Sequence, residues 1–234
     1  MMKIPISKRL LLSAAMIPNG ARVADIGCDH GYLGVYLLAN GIAKRVIASD
    51  LRPMPLAAAK RNAARFGVSE RMDFLLSDGL SSYDPESVDT IVCAGMGGDL
   101  IRFILEAAPW IRNNRITLVL QPQSAAHELR KWLYDEGFAI LQEASVTESH
   151  VYFAMRVQYT GEKTEYTPGG LFVTEQMLQT DCKDYLDRML ISLDKSLSGL
   201  RKAAEPGEKL AFYQQAYTEV QEMIRAYDNR QRNS

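Results

Sequence analysis

The chain has 234 residues, of which 47% are hydrophobic and 24% are charged, and its formal net charge is −1. These proportions are typical of a folded globular protein and exclude a disordered or collagen-like chain. The nearly balanced charge also excludes a uniformly basic nucleic-acid-binding protein, so any RNA-binding or DNA-binding surface has to be a local basic patch.

The distribution of apolar residues and cysteines excludes further classes of protein. No apolar run reaches the roughly 18 residues of a membrane-spanning helix. The first apolar stretch, residues 10–17, is not followed by a secretory cleavage pattern and is interpreted as a helix. The three cysteines, Cys28, Cys93 and Cys182, are too far apart for a disulfide framework or a zinc site. We therefore expect a cytoplasmic protein that binds no metal and does not enter a membrane.

Short apolar runs alternate with helical patterns between residues 21 and 159. This alternation predicts a mostly parallel sheet with helices on both faces. Only residues 147–150 separate the last two strands, which predicts a hairpin and one antiparallel strand at the end of the sheet. The predicted strands are 22–26, 45–49, 72–76, 90–94, 117–121, 139–146 and 151–159, and the predicted helices are 32–40, 53–66, 99–110 and 124–136.

The strand pattern stops at residue 160, and a polar segment rich in glycine and proline follows. Beyond it, apolar residues lie three or four positions apart in two runs that Pro206 and Gly207 interrupt. This spacing predicts an antiparallel helical hairpin with coiled-coil-like packing. We therefore divide the chain into a first domain at residues 1–160, a linker at 161–170 and an α-helical hairpin domain at 171–234. The two runs are Leu186, Met189, Leu190, Leu193, Leu197 and Leu200, then Tyr213, Ala216, Val220, Met223 and Tyr227.

A glycine turn follows the first strand and reads Gly27-Cys28-Asp29-His30-Gly31. It is close to the G-x-G-x-x-G fingerprint of dinucleotide sites, but Asp29 stands at the middle glycine. A carboxylate there would repel a pyrophosphate, whereas a cationic cofactor such as S-adenosylmethionine (SAM) would be attracted. Three interpretations of Asp29 remain open: contact with the SAM ammonium, general-base catalysis, or capping of the helix that begins at Tyr32.

Seven strands that end in a hairpin resemble the Rossmann-like fold of class I SAM-dependent methyltransferases, and that resemblance implies the strand order. In this fold, the end of the first strand, at Asp25, holds the amino-acid end of SAM. Asp50 ends the second strand, where an acidic side chain can accept hydrogen bonds from ribose hydroxyls, although it could equally support the helix that starts at Pro53. Asp78 follows the third strand, where class I enzymes bind the adenine amine. The predicted cofactor-binding set is Asp25, Gly27, Cys28, Asp29, His30, Gly31, Asp50, Leu51, Ser77, Asp78, Gly79, Ala94, Gly95 and Met96.

The fourth strand leads into Ala94-Gly95-Met96-Gly97-Gly98, where class I enzymes place the catalytic motif. Three glycines permit a flat ligand to approach the backbone closely. The segment is not the Asn-Pro-Pro-Tyr motif of many amino-methylating enzymes, which argues against methylation of an exocyclic amine. The predicted substrate-binding residues, which could also be only structural, are Lys8, Arg9, Gly97, Gly98, Gln121, Pro122, Gln123 and Tyr152.

Three segments together resemble the bacterial tRNA (adenine(22)-N(1))-methyltransferase family, and the opening Ile6-Ser7-Lys8-Arg9-Leu10 and the C-terminal hairpin also fit. The resemblance implies SAM-dependent methylation of ring nitrogen 1 of adenine 22 in the D arm of tRNA, with Asp29 as the catalytic residue. The segments are Asp25-Ile26-Gly27-Cys28-Asp29-His30-Gly31-Tyr32-Leu33, Ala94-Gly95-Met96-Gly97-Gly98 and Leu120-Gln121-Pro122-Gln123.

We expect the enzyme to act on tRNA as a monomer. RNA binding also requires contacts to phosphates. Basic residues near the turn and on the hairpin could make these phosphate contacts, although such charged side chains are often only solvated. They are Lys3, Lys8, Arg9, Lys183, Arg188, Lys195, Arg201, Lys202 and Lys209.

Three other functions remain alternatives at this point. A class I methyltransferase could act on another RNA site, a protein or a small molecule, and a non-catalytic RNA-binding protein could retain the fold. An NAD-dependent oxidoreductase is disfavoured by Asp29 in the turn and by the terminal hairpin.

Overall fold

The computed structural model describes residues 3–202 and 207–232. Its centre is one seven-stranded sheet with the strand order β3-β2-β1-β4-β5-β7-β6. All seven predicted strands are confirmed, with ends that differ by a few residues. The strands are β1 Ala21–Ile26, β2 Ala43–Asp50, β3 Met72–Leu76, β4 Thr90–Met96, β5 Thr117–Pro122, β6 Phe138–Thr147 and β7 Val151–Tyr159.

The antiparallel strand lies one position inside the edge of the sheet. Strand β7 pairs antiparallel with both β5 and β6, so β6 is the edge strand. The prediction of an antiparallel strand at the very end was therefore wrong in this detail. Strand β7 carries a continuous buried run from Phe153 to Met155, whereas β6 exposes Leu141. A strand buried on both faces belongs inside a sheet, and the more exposed strand takes the edge.

Helices cover both faces of the sheet. Three helices, α1 Lys8–Ala15, α2 Tyr32–Ala39 and α3 Pro53–Arg65, pack over one core, and α4 Gly98–Glu106 and α5 Ala126–Asp135 pack over the other. Helix α4 ends four residues before the predicted end at 110. Pro109 disfavours helical geometry at the residue before it, and a short 3₁₀ turn, Pro109–Ile111, follows.

The C-terminal region forms the two predicted long helices, α6 Lys183–Leu200 and α7 Gly207–Arg232. The predicted break at Pro206 lies outside the described residues. The buried side of the hairpin continues the core of α4 and α5, so the helices extend that core without a solvent layer. Leu186 and Leu193 of α6 and Ala216 and Val220 of α7 are 0–1% exposed.

A buried ion pair joins the sheet to the hairpin. Arg130 of α5 donates from Nη2 to Oε1 of Glu143 in β6 across 2.7 Å, and the two side chains are 1% and 0% exposed. Arg130 also donates to the Tyr185 hydroxyl of α6 at 3.0 Å and to the Leu171 carbonyl at 2.9 Å. The Thr174 hydroxyl donates to the other oxygen of Glu143. Four segments of the chain therefore meet on one satisfied polar network.

The segment between sheet and hairpin is also held in place. The Tyr166 hydroxyl donates to Oδ1 of Asp135 at 3.1 Å, and the Gly169 N–H donates to Glu219 at 2.6 Å. The division into two domains joined by a linker at 161–170 stays a prediction. Among the described helices, none is both long and apolar enough to cross a membrane.

Candidate active site

The predicted site residues gather at one edge of the sheet. The strand order reverses between β1 and β4, and the chain leaves β1 towards one face and β4 towards the other. In open α/β sheets, ligands bind in the crevice outside the carboxyl ends of the strands at this reversal. The predicted cofactor residues lie at or just after the carboxyl ends of β1 to β4, and Gln121 to Gln123 lie at that of β5.

Backbone hydrogen bonds shape the glycine turn after β1. The Cys28 N–H donates to the Ser49 carbonyl at the end of β2 across 2.8 Å, and the Gly31 N–H donates back to the Cys28 carbonyl at 2.7 Å. Asn62 of α3 donates to the His30 carbonyl at 2.8 Å. The turn is therefore tied to β2 and α3, which leaves its outer side free for a ligand.

Asp29 projects from this turn in an unusual backbone conformation. Its φ is 50°, in the left-handed region that side chains seldom adopt, and its side chain is 73% exposed. Aspartate tolerates this region better than most residues do, and strained positions cluster at functional sites. The N-cap of α2 is Gly31, which makes no side-chain capping bond, so the interpretation of Asp29 as the helix cap was wrong. The His30 ring is its neighbour in the turn, with Nε2 3.7 Å from Oδ1 of Asp29.

Asp25 is the buried carboxylate of the site. Its side chain is 4% exposed, and within the described part of the chain its Oδ2 has no hydrogen-bond partner. Burial raises the pKa of Asp25 to about 7, although a hydrogen bond from the Gly34 N–H partly opposes the shift. A buried acceptor without a donor is rare in native proteins. It indicates a place where a bound group supplies the donor.

Asp50 is the last residue of β2, and Asp78 follows β3. Asp50 is 7% exposed, and its Oδ1 accepts from the N–H of Arg52 at 3.0 Å. Arg52 is the N-cap residue of α3, so Asp50 supports the start of that helix as well as ending β2. Asp78 is exposed, and the Ser77 hydroxyl before it donates to the Gly79 carbonyl at 3.0 Å.

The electrostatics of the turn suit a cation. The pKa of the Cys28 thiol is raised, first by burial and then by the negative charges of Asp25, Asp50 and Asp29. These three carboxylates therefore act together on the turn. SAM carries an ammonium and a sulfonium, so this potential would attract it, whereas a dinucleotide pyrophosphate would be repelled. The residues present thus fit SAM.

A second group of predicted residues surrounds the turn after β4. Arg9 of α1 donates from Nη1 to Oε1 of Gln121 across 3.2 Å, and Gln121 is fully buried. The same Nη1 lies only 3.0 Å from where a Cβ on Gly95 would be, and Gln123 lies 3.6 Å from it. Gly95 has a φ of 82° and interrupts the β4–β5 register. A side chain at residue 95 would displace Arg9.

Gly97 and Gly98 pack against the segment after β5. The Gly98 N–H donates to the Ser124 carbonyl across 2.8 Å, and a Cβ on Gly98 would lie 2.5 Å from the Ala125 carbonyl oxygen. A Cβ on Gly97 would lie 3.0 Å from the Ser124 hydroxyl. The glycine segment therefore needs small residues for packing, whatever its part in substrate binding.

Lys8 and Tyr152 lie around the β6–β7 turn. Lys8 donates from its backbone N–H to Glu148 at 3.2 Å and from Nζ to the Thr147 carbonyl at 3.4 Å. The Tyr152 hydroxyl lies 3.4 Å from that of Ser149, and its ring faces a cavity that Pro122 and Gln123 also line.

Some predicted phosphate-binding residues are engaged within the hairpin. Lys183 pairs with Asp187 at 3.1 Å and with Asp228 at 3.3 Å, and Arg201 donates to Gln214 at 3.2 Å. The sequence interpretation missed His127, which lines the cavity beside Tyr213. These two residues are 86 positions apart, and no local pattern links them.

Comparisons with known proteins agree with this geometry. Residues 6–155 match a family described as a methyltransferase domain. The chain is 37% identical over 163 residues to the tRNA (adenine(22)-N(1))-methyltransferase of Bacillus subtilis, an alignment that covers 70% of this chain and 68% of the relative. It is also 32% identical over 182 residues to a Mycoplasma pneumoniae protein named as a tRNA methyltransferase, covering 76% and 79% of the two chains.

Comparison with solved structures also finds similarity to tRNA methyltransferases. The crystal structure of the Bacillus subtilis tRNA methyltransferase TrmK superposes with a TM-score of 0.82 at 29% identity, covering 95% of this chain and 100% of that one. A Streptococcus pneumoniae protein crystallised with SAM gives a TM-score of 0.76 at 28% identity, covering 94% and 99%. Both matches include the C-terminal hairpin as well as the sheet. Sequence, fold and site thus agree, and the chain belongs to the tRNA (adenine(22)-N(1))-methyltransferase family, which uses the Rossmann-like class I methyltransferase fold.

Proposed function

We propose that this protein transfers a methyl group from SAM to ring nitrogen 1 of adenine 22 in the D arm of tRNA. The observation that carries the proposal is the presence of two carboxylates, Asp25 at the end of β1 and Asp29 in the glycine turn that follows it. One carboxylate is buried with an unpartnered oxygen, and the other is exposed in a strained conformation. The family membership supplies the substrate, and the acidic turn supplies the preference for a cationic cofactor.

The cofactor would be held by residues at the ends of three adjacent parallel strands. Asp25 is suited to the ammonium of the SAM amino-acid group, because its free Oδ2 lacks a donor. Asp50 would accept from the ribose hydroxyls, and Asp78 would accept from the adenine amine. Gly27 and Gly31 let the backbone approach the ligand closely. When bound, SAM supplies an electrophilic methyl group on its sulfonium.

The protein's own part in the chemistry is to position and to stabilise charge. Ring nitrogen 1 of adenine has a lone pair, so no proton must leave before it reacts. The methylated ring is cationic, and the exposed carboxylate of Asp29 would stabilise that charge or accept a proton from the exocyclic amine. Positioning by the glycine segment at Gly95–Gly98 would supply much of the remaining acceleration.

RNA would be held by the residues around that segment. Arg9 is fixed by Gln121 beside Gly95 and is suited to a phosphate next to the target adenosine. Lys8 lies close by on α1, Gln123 offers an amide to the extruded target base, and Tyr152 offers a ring to a neighbouring base. Pro122, Gly97 and Gly98 would shape the floor of this site. More distant phosphates would meet Lys195, Lys202 and Lys209 on the hairpin.

The proposal extends to the oligomeric state, the metal requirement and the cellular location of the protein. The ends of β1 to β4 and the turns that follow them, all in one chain, supply every proposed cofactor residue, which supports action as a monomer. The proposed reaction needs no metal, and its tRNA substrate is consistent with a cytoplasmic enzyme. Sedimentation with and without tRNA, and activity in the presence of a chelator, test the first two properties.

The decisive test uses labelled SAM and an unmodified tRNA transcript, followed by mapping of reverse-transcription stops. A methyl group on ring nitrogen 1 blocks base pairing, so we expect a SAM-dependent stop at adenine 22. A transcript with guanine at that position is the matched control and should accept no label. Label elsewhere in the tRNA would contradict the proposed position, and binding of SAM without transfer to tRNA would contradict the proposed activity.

A further inference from the structure

A cavity of about 460 Å³ lies between the end of β5, the β6–β7 turn and the helical hairpin. Its size falls within the range of about 300–1,000 Å³ that is typical of small-molecule sites. On α6 its lining extends from Tyr185 to Ser196, which is about three helical turns. The cavity is therefore large enough for a nucleotide and is formed jointly by the sheet and the hairpin.

The cavity wall combines flat rings with positive charge. His127 stacks on Phe172 with ring centroids 4.7 Å apart, and its Nε2 lies 3.3 Å from the Tyr213 hydroxyl. Burial lowers the pKa of His127, so this ring is neutral at physiological pH and suited to stacking. Arg188 and His150 are exposed beside these rings. The lining lies within the described part of the chain and contains no aspartate or glutamate.

This chemistry is that of a nucleotide site in RNA. Unpaired bases stack on aromatic and histidine rings, and arginine binds the phosphates between them. The Arg188 guanidinium donates to the carbonyl of Val151 at the start of β7, which holds it at the cavity. No acidic side chain of the described residues lines the cavity itself, and the nearby Glu128 lies outside the lining, with its Oε1 3.5 Å from Nε2 of His127.

The cavity adjoins the glycine segment but is separate from the cofactor residues. Its lining includes Ser124 and Ala125, against which Gly98 packs, but none of the residues predicted to hold SAM. Ala125 has a φ of 50°, so this shared wall is a second strained position beside the site. The cavity shares Pro122 and Gln123 with the proposed target-base site, but no residue predicted to hold SAM lines it. A base stacked on His127 and Tyr213 would therefore lie away from the cofactor and would not receive the methyl group.

We propose that this cavity binds a second unpaired nucleotide of the tRNA, distinct from the methylated adenosine. Its base stacks among the rings of His127, Tyr152 and Tyr213, and its phosphate lies at Arg188. The inference rests on the proposed function, because it assumes an RNA substrate. Binding two nucleotides at separate points fixes the RNA between them and places the target base at the glycine segment.

Filling the cavity tests the proposal without removing a contact. Ser192 is exposed on α6 and lines the cavity, so Ser192→Trp would occupy the space with a large ring. Ser198 is exposed on the same helix but does not line the cavity, so Ser198→Trp is the matched control. For both variants, SAM affinity, tRNA affinity and the rate of methyl transfer are measured beside the unsubstituted protein.

We expect Ser192→Trp to raise the KM for tRNA at least tenfold while the Kd for SAM changes less than twofold. Ser198→Trp should remain within twofold for both quantities. Equal tRNA kinetics for Ser192→Trp and the unsubstituted protein would overturn the cavity proposal alone. Failure of the unsubstituted protein to methylate or bind tRNA would overturn the proposed function and the cavity proposal with it.

Abasic substitutions in the tRNA identify the bound nucleotide. Each unpaired nucleotide near the target is replaced in turn by an abasic one, and transfer is measured with both proteins. At one position the loss of the base should raise the KM for the unsubstituted protein at least fivefold but have less than a twofold further effect on Ser192→Trp. If, at every position, the abasic tRNA changes the KM by the same factor in the unsubstituted protein and in Ser192→Trp, no base enters the cavity and the proposal is wrong.

Discussion

Arg9 and Gln121 are 112 positions apart in the chain, yet Nη1 of Arg9 donates to Oε1 of Gln121 across 3.2 Å. The bond joins the first helix to the end of β5 and places a guanidinium beside Gly95. Gln121 is fully buried, so the arginine is the member of the pair that can reach a substrate. The pair forms a positioned cation at the glycine segment.

Replacing the positioned cation should weaken RNA binding and leave the cofactor unaffected. Arg9→Lys keeps the charge but loses the planar fork that matches phosphate, and Gln121→Met removes the acceptor that orients Arg9. We expect each to raise the KM for tRNA about tenfold, or about 1.4 kcal/mol. The Kd for SAM, measured by calorimetry, should stay within twofold.

The double variant separates positioning from direct contact. If Gln121 acts through Arg9, the effects of the two substitutions are not additive, and the double variant resembles Arg9→Lys alone. Simple multiplication of the two effects would show that Gln121 contributes independently of Arg9.

Substitution of Asp29 separates its charge from its backbone conformation. Asparagine tolerates a φ of 50° as aspartate does, so Asp29→Asn removes the charge and one acceptor oxygen but keeps the backbone conformation. We expect kcat to fall by about 10²–10⁴-fold, which is the usual contribution of a positioned acid or base. Single-turnover transfer to tRNA at saturating SAM measures this loss.

Asp29→Gly is the companion variant. Glycine relieves the left-handed strain, so thermal unfolding should show unchanged or slightly higher stability while transfer is lost as in Asp29→Asn. A raised Kd for SAM with an unchanged kcat, in either variant, would place Asp29 on the cofactor instead of the substrate.

Protonation of Asp25 should make SAM binding depend on pH. Burial raises the pKa of Asp25 from 3.8 to about 7, so the free protein carries this carboxyl mostly protonated below neutral pH. A cationic ligand binds the ionised form. The Kd for SAM should therefore fall by up to about tenfold per pH unit as the pH rises from about 5 to 7, and then level off.

Two comparisons identify the groups responsible. Asp25→Asn should flatten the pH profile of SAM binding. S-adenosylhomocysteine has the ammonium but no sulfonium, so it should show the same profile if Asp25 faces the amino-acid end. A flat profile with S-adenosylhomocysteine would place Asp25 near the sulfonium.

Protonation of Asp25 should also make the free energy of unfolding depend on pH. Between about pH 4 and 7 the folded state holds a proton on Asp25 that the unfolded state has released, so stability falls as the pH rises. The slope is at most about 1.4 kcal/mol per pH unit from this group. Urea unfolding of the protein without cofactor at several pH values, compared with Asp25→Asn, isolates that slope.

Breaking the buried Arg130–Glu143 pair should destabilise the whole protein. Glu143→Gln leaves a buried guanidinium without its counter-charge, and such losses typically cost about 3–5 kcal/mol. Chemical denaturation measures the change. Arg130→Met combined with Glu143→Leu removes both charges and should recover much of the loss, whereas a double variant as unstable as the sum of its parts would contradict this account.

The sequence predicted the sheet well because its strands are buried on both faces and appear as separate apolar runs. The alternation of apolar runs did not by itself predict that β7 lies between β5 and β6. Two strands of a tight hairpin can pair with β5 in either order, and only the packing of Phe153 to Met155 decides between them.

The sequence predicted the parts of the site that follow from neighbouring strand ends, but not the contacts between segments that are distant in the chain. The carboxylates of Asp25 and Asp50 end neighbouring strands, so their approach follows from topology alone. The bond between Arg9 and Gln121, and the rings of His127 and Tyr213 in the cavity, depend on contacts between distant segments. No spacing in the sequence encodes such contacts.

The Arg130 network has a consequence for substrate selection. Because α5, β6 and α6 share one buried polar cluster, we expect the base of the hairpin to keep a fixed position against the sheet. The protein would then select RNA by its shape. A folded RNA would fit only if its exposed adenine and its supporting arm are already spaced to match, so we expect an identical local sequence in an unfolded strand to be a poor substrate.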